Sequence, residues 1–216
     1  MYTETTTDSA LIWGAAGGIG RALVTQLAGA GWTVGAVARD STPIAALTPH
    51  AFDADVADPL AVQRAVLAIA QELSDIKLWV YAAGDIISEK IADTKPETLQ
   101  RILGANLTGA LLTAQASLPL LAPDAHLFFI GAVQERMRLP GLSAYAAAKA
   151  GLEAFAEAFR KEERTRKITV VRPGAVNTPF WKKVPFRMPA NALAPEAVAQ
   201  KILEAYQTGQ SGLLDM

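Results

Sequence analysis

A chain of 216 residues that is 51% hydrophobic and 19% charged can fill one core and falls outside the disordered class. A net charge of −1, from 20 basic and 21 acidic residues, gives no electrostatic footprint for duplex nucleic acid. The absence of cysteine excludes disulfide scaffolds, Cys-ligated zinc, iron–sulfur clusters and thiol catalysis, and two histidines, His50 and His126, argue against a metal centre.

From the start of the chain, Met1 to Asp8 is polar and lacks a basic stretch followed by an apolar one, so it does not read as an export signal. Short apolar runs then predict strands over 10–13, 33–38, 51–53, 78–82, 127–130, 169–171 and 212–215. Helical patterns fall between them, over 18–30, 59–73, 96–121, 144–164 and 195–208. Pro59, Pro96 and Pro195 each suit a first helical turn, where the missing N–H costs nothing. The most apolar region, residues 103–122, is interrupted by Asn106, Thr108, Gln115 and Ser117, and reads as a buried helix rather than a membrane span. A soluble, cytoplasmic chain is the expectation. Strand–helix alternation predicts an α/β fold of Rossmann type: a single doubly wound parallel sheet of about seven strands with helices on both faces. Its ligand crevice should open at the strands' C-terminal ends. The proline- and aromatic-rich stretch 176–194 departs from the alternation. Within one domain spanning 1–216 it reads as a short ordered lid, at about 178–194, closing over that crevice.

Chemistry is concentrated at the strand ends. The first strand runs into Gly14-Ala15-Ala16-Gly17-Gly18-Ile19-Gly20. Glycines at 14, 18 and 20 permit a tight turn and let backbone N–H groups approach a diphosphate at a helix N-terminus. The spacing differs from the general dinucleotide fingerprint, and an ordinary strand–helix turn reads the same way. After the second strand come Ala38, Arg39 and Asp40. An acidic residue at this place would bind the two ribose hydroxyls of NAD, and a basic one a 2′-phosphate. Arg39 therefore favours NADP, with NAD still possible beside Asp40, and a solvated strand-end charge is the plain alternative. Further on, Tyr145 and Lys149 lie four residues apart on one helix face. A snorkelling lysine beside a half-buried ring would have the same spacing.

With these elements in this order, the sequence resembles the short-chain dehydrogenase/reductase family over nearly its whole length. Gly14, Gly18 and Gly20, with Ile19 between, match the family's cofactor turn, and Asp55-Val56 looks like its adenine-pocket pair. Ala82-Ala83-Gly84 is similar to a weakened form of its Asn-Ala-Gly element. Asn106 falls on its helix asparagine, and Pro173-Gly174-Ala175-Val176-Asn177-Thr178 on its Pro-Gly turn and nicotinamide-side threonine. The resemblance implies a nicotinamide cofactor, Tyr145 as the acid/base, and Lys149 both binding the nicotinamide ribose and lowering the phenol's pKa. It further implies that Asn106 holds a water linking Lys149 to solvent. The family's catalytic serine would stand thirteen residues before the tyrosine, where this chain has Ala132. Losing a hydroxyl aimed at a developing oxyanion costs on the order of 3 kcal/mol.

Three readings follow. In the first, a small carbonyl or hydroxyl compound is the substrate, and Gln134 or Ser143 supplies the missing hydrogen bond. The second is reduction of a quinonoid ring, as in dihydropteridine reductases, which also carry alanine at this place. The third is a dinucleotide-binding regulator without catalysis. Phe180 and Trp181 would cover the substrate, with the neighbouring cations facing solvent. The expected partners are a small-molecule substrate and further copies of the chain, as a homodimer or homotetramer, with no nucleic acid and no membrane. Apolar residues around much of helices 96–121 and 144–164 are the basis for the oligomer.

Overall fold

The computed structural model describes residues 7–133 and 137–216. Seven parallel strands form one sheet in the order β3-β2-β1-β4-β5-β6-β7. These are β1 (Ser9–Trp13), β2 (Thr33–Ala38), β3 (Ala51–Asp53), β4 (Ile76–Tyr81), β5 (Leu121–Ile130), β6 (Lys167–Arg172) and β7 (Gly212–Asp215). The helices are α1 (Gly18–Gly29), α2 (Pro59–Ile69), α3 (Pro96–Leu103), α4 (Gly109–Ser117), α5 (Ser143–Glu162) and α6 (Pro195–Thr208). Pro59, Pro96 and Pro195 open their helices as expected, and at α2 the Asp58 carboxylate also accepts from the Leu60 amide at 2.9 Å.

Because successive strand side chains point to opposite faces, the near-continuous apolar strands feed two cores. Leu11, Trp79, Phe129 and Val170 project to one face, against Val62 and Ile69 of α2, Ala110 and Ala114 of α4, and Leu152 and Phe159 of α5. Ile12, Val80, Phe128 and Val171 project to the other, against Leu23 and Leu27 of α1 and Val198 and Ile202 of α6. Large fully buried rings such as Trp13, Trp79, Phe128 and Phe129 each withdraw enough apolar area to contribute about 2–3 kcal/mol. Among the described residues, no helix is long and apolar enough to cross a membrane.

The expected helix over 96–121 runs without a break to Leu120 but is not α-helical throughout. Between α3 and α4 the chain widens into a π-helical turn, Gly104–Thr108. Such a turn disturbs the regular carbonyl–amide ladder, and side chains take up part of the deficit. The buried Tyr81 hydroxyl donates to the Ala105 carbonyl at 2.7 Å, and Asn106 Nδ2 donates back to the Ile102 carbonyl at 2.9 Å. The fifth strand starts earlier than predicted, at Leu121 rather than 127. Pro119 stops the helix, and the pairing with β4 slips between Leu121 and His126, a stretch in which Pro123 has no amide to donate. Arg166 ties this irregular stretch down, donating from Nε to the Ala122 carbonyl at 3.0 Å and from Nη2 to the Leu121 carbonyl at 3.2 Å.

His126, 2% exposed on β5, sits in a directional hydrogen-bond chain. The Thr169 hydroxyl gives its proton to the Gln210 carbonyl at 2.8 Å, so His126 Nε2, 2.8 Å from that hydroxyl, must be the donor to it. Burial, helped by the Lys167 charge, lowers the imidazole pKa from 6.5 to about 4. The unfolded chain therefore takes up this proton before the folded one does. Stability from His126 is complete above pH ~6.5 and is lost as pH falls toward ~4, by up to about 3 kcal/mol. Denaturant unfolding of the wild type and of His126→Leu across this range checks it: the two profiles should diverge with acid, and parallel profiles would refute the assignment.

Candidate active site

The strand order reverses its direction of growth between β1 and β4, which opens a crevice at their C-terminal ends. Gly14 makes this possible. It lies in the left-handed region with φ +82°, and a β-carbon on it would collide with the backbone of Ala82 and Ala83. Its amide donates to the Val37 carbonyl at 2.8 Å, which fixes the turn against β2. Helix α1 then begins at Gly18 with no acidic residue in its first turn, so its N-terminal amides face the crevice without a competing carboxylate. The crevice has a volume of about 1020 Å³, at the upper end of the roughly 300–1,000 Å³ usual for small-molecule sites. A glycine cradle against a helix N-terminus, in a cleft of this size, fits the diphosphate of a dinucleotide.

Most residues singled out from the sequence meet in this one crevice. Gly14, Gly18 and Ile19 line it from the first turn, and Arg39, Asp55 and Val56 from the ends of β2 and β3. Ala83 and Gly84 line it after β4, Ala132 after β5, and Pro173, Gly174, Val176 and Thr178 after β6. Tyr145, Lys149, Phe180 and Trp181 complete the wall. Three singled-out residues stand elsewhere. Gly20 lies behind the turn, where a side chain would strike the Gly14 carbonyl. Asn106 is fully buried behind Gly84, and Ser143 is exposed at the start of α5, outside the lining. Gln134 lies outside the described residues.

At the β2 end, Asp40 is partly engaged. Its Oδ1 accepts from the Thr42 amide at 3.0 Å, capping the short turn after the strand, while Asp53 Oδ1 accepts from the Ser41 amide at 2.7 Å. Arg39 is exposed on the crevice rim.

On α5 the Lys149 side chain is 4% exposed, its Nζ donating to the Ile130 carbonyl at 2.7 Å and lying 5.8 Å from the Tyr145 ring centroid. Burial moves the pair in opposite directions: Tyr145 is pushed up to about 12, and Lys149 down to about 8. The sequence reading expected the lysine to lower the phenol. In the chain itself the cause acting on the phenol is burial, which raises it; the cationic nicotinamide that the expectation paired with Lys149 is a charge the chain does not supply. Asn106 supports the same region from below. Its Nδ2 donates to the Asp85 carbonyl at 2.6 Å, and its buried Oδ1 has no hydrogen-bond partner among the described residues. A β-carbon on Gly84 would approach that oxygen to 2.9 Å.

Around Tyr145 the wall is apolar. Ala132 and Val133 follow β5 without a hydroxyl, and Met137, Leu142 and Phe180 join them. Trp181 is fixed by its indole N–H, which donates to the Val176 carbonyl at 2.8 Å. Sequence reasoning missed a charged cluster here: Asp85 Oδ1 lies 2.6 Å from Lys183 Nζ, and Asp85 Oδ2 lies 3.1 Å from Arg101 Nε. Lys183 is exposed as expected, but it also reaches Asp85. The available signal was a carboxylate placed directly after Ala82-Ala83-Gly84, at a strand end where the ligand crevice was expected. Among the described residues no group of three or more His, Cys, Asp or Glu could hold a metal ion.

Comparison with known proteins agrees with this geometry. The family model described as short chain dehydrogenase matches residues 8–187. A sepiapterin reductase of Chlorobaculum tepidum is 31% identical over 157 residues, 71% of this chain and 64% of that protein, so the chain spans just under two thirds of that relative's length. A short-chain oxidoreductase of Thermus thermophilus is 32% identical with a TM-score of 0.79, covering 91% of this chain and 94% of that one. Two further structures, each 21% identical and covering 97% of this chain and 96% of theirs, share the fold. They are a 3-ketoacyl-(acyl-carrier-protein) reductase of Brucella melitensis complexed with NADH, TM-score 0.84, and an alcohol dehydrogenase of Thermococcus sibiricus complexed with 5-hydroxy-NADP, TM-score 0.87.

Proposed function

The chain belongs to the short-chain dehydrogenase/reductase family, and from that premise we propose that it is an NADP-preferring oxidoreductase of a small carbonyl or hydroxyl substrate, with Tyr145 as acid/base. Family membership itself carries the coarser statement, a nicotinamide dinucleotide-binding oxidoreductase. The observation that supports the finer one is the placing of Tyr145 and Lys149 on one turn of α5, facing the crevice that the α1 N-terminus enters.

When bound, a nicotinamide dinucleotide supplies or takes up the hydride. The Gly14–Gly20 turn and the α1 amides would hold its diphosphate, and Asp55 with Val56 its adenine. At the other end of that crevice Tyr145 holds the proton. With its pKa near 12 the phenol is fully protonated at neutral pH, the state needed to donate to a substrate oxygen during reduction. Lys149, anchored by the Ile130 carbonyl, offers positive charge to the phenolate that donation leaves behind. Asn106, with Oδ1 unpartnered, can accept one hydrogen bond in support of a proton path to Lys149. Phe180 and Trp181 act as a short lid that keeps water from the reacting atoms. Asp40 has one oxygen committed to the Thr42 amide, while Arg39 is exposed on the crevice rim, which supports a 2′-phosphate rather than two ribose hydroxyls at this end.

Ala132 favours a second reading. No hydroxyl polarises a substrate carbonyl from β5, and Ser143 is turned away, so an electron-poor conjugated ring that needs no such donor suits the apolar wall. As assembly we propose a homodimer or homotetramer. Much of the apolar circumference of α4 and α5 is taken by the protomer's own core, including Ala114, Leu152 and Phe159, while Leu111 stays 37% exposed for a partner.

Three substitutions separate these statements. Tyr145→Phe should lower kcat by about 10²- to 10⁴-fold with NADPH affinity nearly unchanged, and retained turnover would remove Tyr145 from its role. Arg39→Asp should weaken NADPH binding by about tenfold to a hundredfold and spare NADH, as read by calorimetry; an unchanged NADPH affinity would count against the cofactor assignment. Ala132→Ser should raise ketone reduction by at least tenfold and leave reduction of a quinonoid ring almost unaltered. The reverse pattern would reject both substrate readings.

A further inference from the structure

Asp85 is a carboxylate set at the edge of the crevice immediately after the Gly84 turn, 7% exposed, and three donors meet it. The Ile86 amide reaches Oδ1 at 2.9 Å, Lys183 Nζ reaches Oδ1 at 2.6 Å, and Arg101 Nε lies 3.1 Å from Oδ2. Its main chain is fixed from the opposite side, because the fully buried Asn106 donates to its carbonyl at 2.6 Å. Asp85 is thus a rigid point at the end of the central sheet. Lys183, 98 positions further along the chain, closes the short helical turn Pro179–Lys183 that carries Phe180 and Trp181 into the crevice.

The other polar attachments of this turn are local: the Trp181 amide to the Thr178 carbonyl and the Trp181 indole to the Val176 carbonyl. Among the described residues, the hydrogen bond from Lys183 is the long-range polar tether of Pro179–Lys183. The same ammonium lies 5.7 Å from the Phe180 ring centroid, and the Phe180 ring tip comes within 3.5 Å of where a Gly84 β-carbon would stand. Lys183 therefore fixes both the turn and the ring it carries. Arg101, with its side chain 53% exposed on α3, stays on Oδ2 when Lys183 leaves, so release of the turn does not orphan a buried charge.

We propose that Asp85 is a positioning residue for the substrate: by holding Lys183 it sets Phe180 and Trp181 as the substrate-facing wall, and so governs substrate affinity separately from cofactor binding and proton transfer. This rests on the reading that the crevice beside Tyr145 receives the substrate.

The test uses the full chain with Lys183→Met, Lys183→Arg, Asp85→Asn and the double variant Asp85→Asn/Lys183→Met. Hydrogen exchange of residues 179–184 should accelerate about tenfold in Lys183→Met and in Asp85→Asn. It should go no further in the double variant and return close to wild type in Lys183→Arg. With NADPH and the best substrate from a panel of carbonyls and quinonoid rings, KM for the substrate should rise about tenfold in Lys183→Met and in Asp85→Asn, while the Kd for NADPH from calorimetry stays within twofold. Unchanged exchange in Lys183→Met, additive effects in the double variant, or a KM increase not rescued by Lys183→Arg would overturn the proposal. A wild type that turns over nothing, with the exchange pattern intact, would instead overturn the functional reading and leave the tether standing.

Discussion

Everything in this molecule follows from one close approach of backbone to backbone. At the point where the sheet stops growing in one direction and begins growing in the other, the chain leaving β1 passes so near the chain leaving β4 that no side chain fits between Gly14 and Ala83. A left-handed residue is required there, and only glycine adopts that conformation without a steric penalty. The contact aims α1 so that its N-terminus opens into the crevice, and it seats the Ala82–Gly84 turn against Asn106 and Phe180. The glycine turn before α1 and the apolar wall at Phe180 are therefore not independent features. They are two sides of the same tight turn.

Burial sets the electrostatics of the Tyr145–Lys149 pair on α5. A free phenol and a free ammonium have nearly equal pKa values, and in water neither would favour a particular direction of proton transfer. Sunk into α5, both shift toward their uncharged forms, the phenol upward and the amine downward. An ionised tyrosine in this site thus depends on charge supplied by whatever occupies the crevice. The alanine at 132 leaves that dependence unrelieved by a neighbouring hydroxyl.

The architecture was legible because its signals are local. Apolar runs of strand length, prolines at helix starts, the glycine turn and a Tyr–Lys pair at helical spacing each depend on a few consecutive residues, and the strands and helices lie close to where those signals put them. What stayed hidden was either a change of winding or a partnership between distant residues. The π-helical turn at Gly104–Thr108 includes the weak helix formers Gly104, Asn106 and Thr108, but weak propensity does not specify a wider winding, and only the donors that reach it, Tyr81 from β4 and Asn106 from within, reveal the extra width. The early start of β5 was masked because the helical pattern was carried through Pro119 to 121 and Pro123 interrupts the apolar run that follows. The contact of Lys183 with Asp85 was missed because no periodicity connects residues 98 positions apart.

The base of the segment over the crevice is clasped. Val176 and Leu193 form a parallel bridge, with the Asn177 amide donating to the Leu193 carbonyl and the Leu193 amide to the Ala175 carbonyl, both at 2.8 Å. On either side of the clasp, Thr178 within and Pro195 beyond both come up against Gly18. Once two ends are pinned together in this way, the conformational cost of the chain between them grows only logarithmically, by about 0.6 kcal/mol for each doubling of length. A change of length between Lys183 and Leu193 therefore carries only a small conformational cost, while Pro179–Lys183 stays tied to the end of the sheet through Asp85.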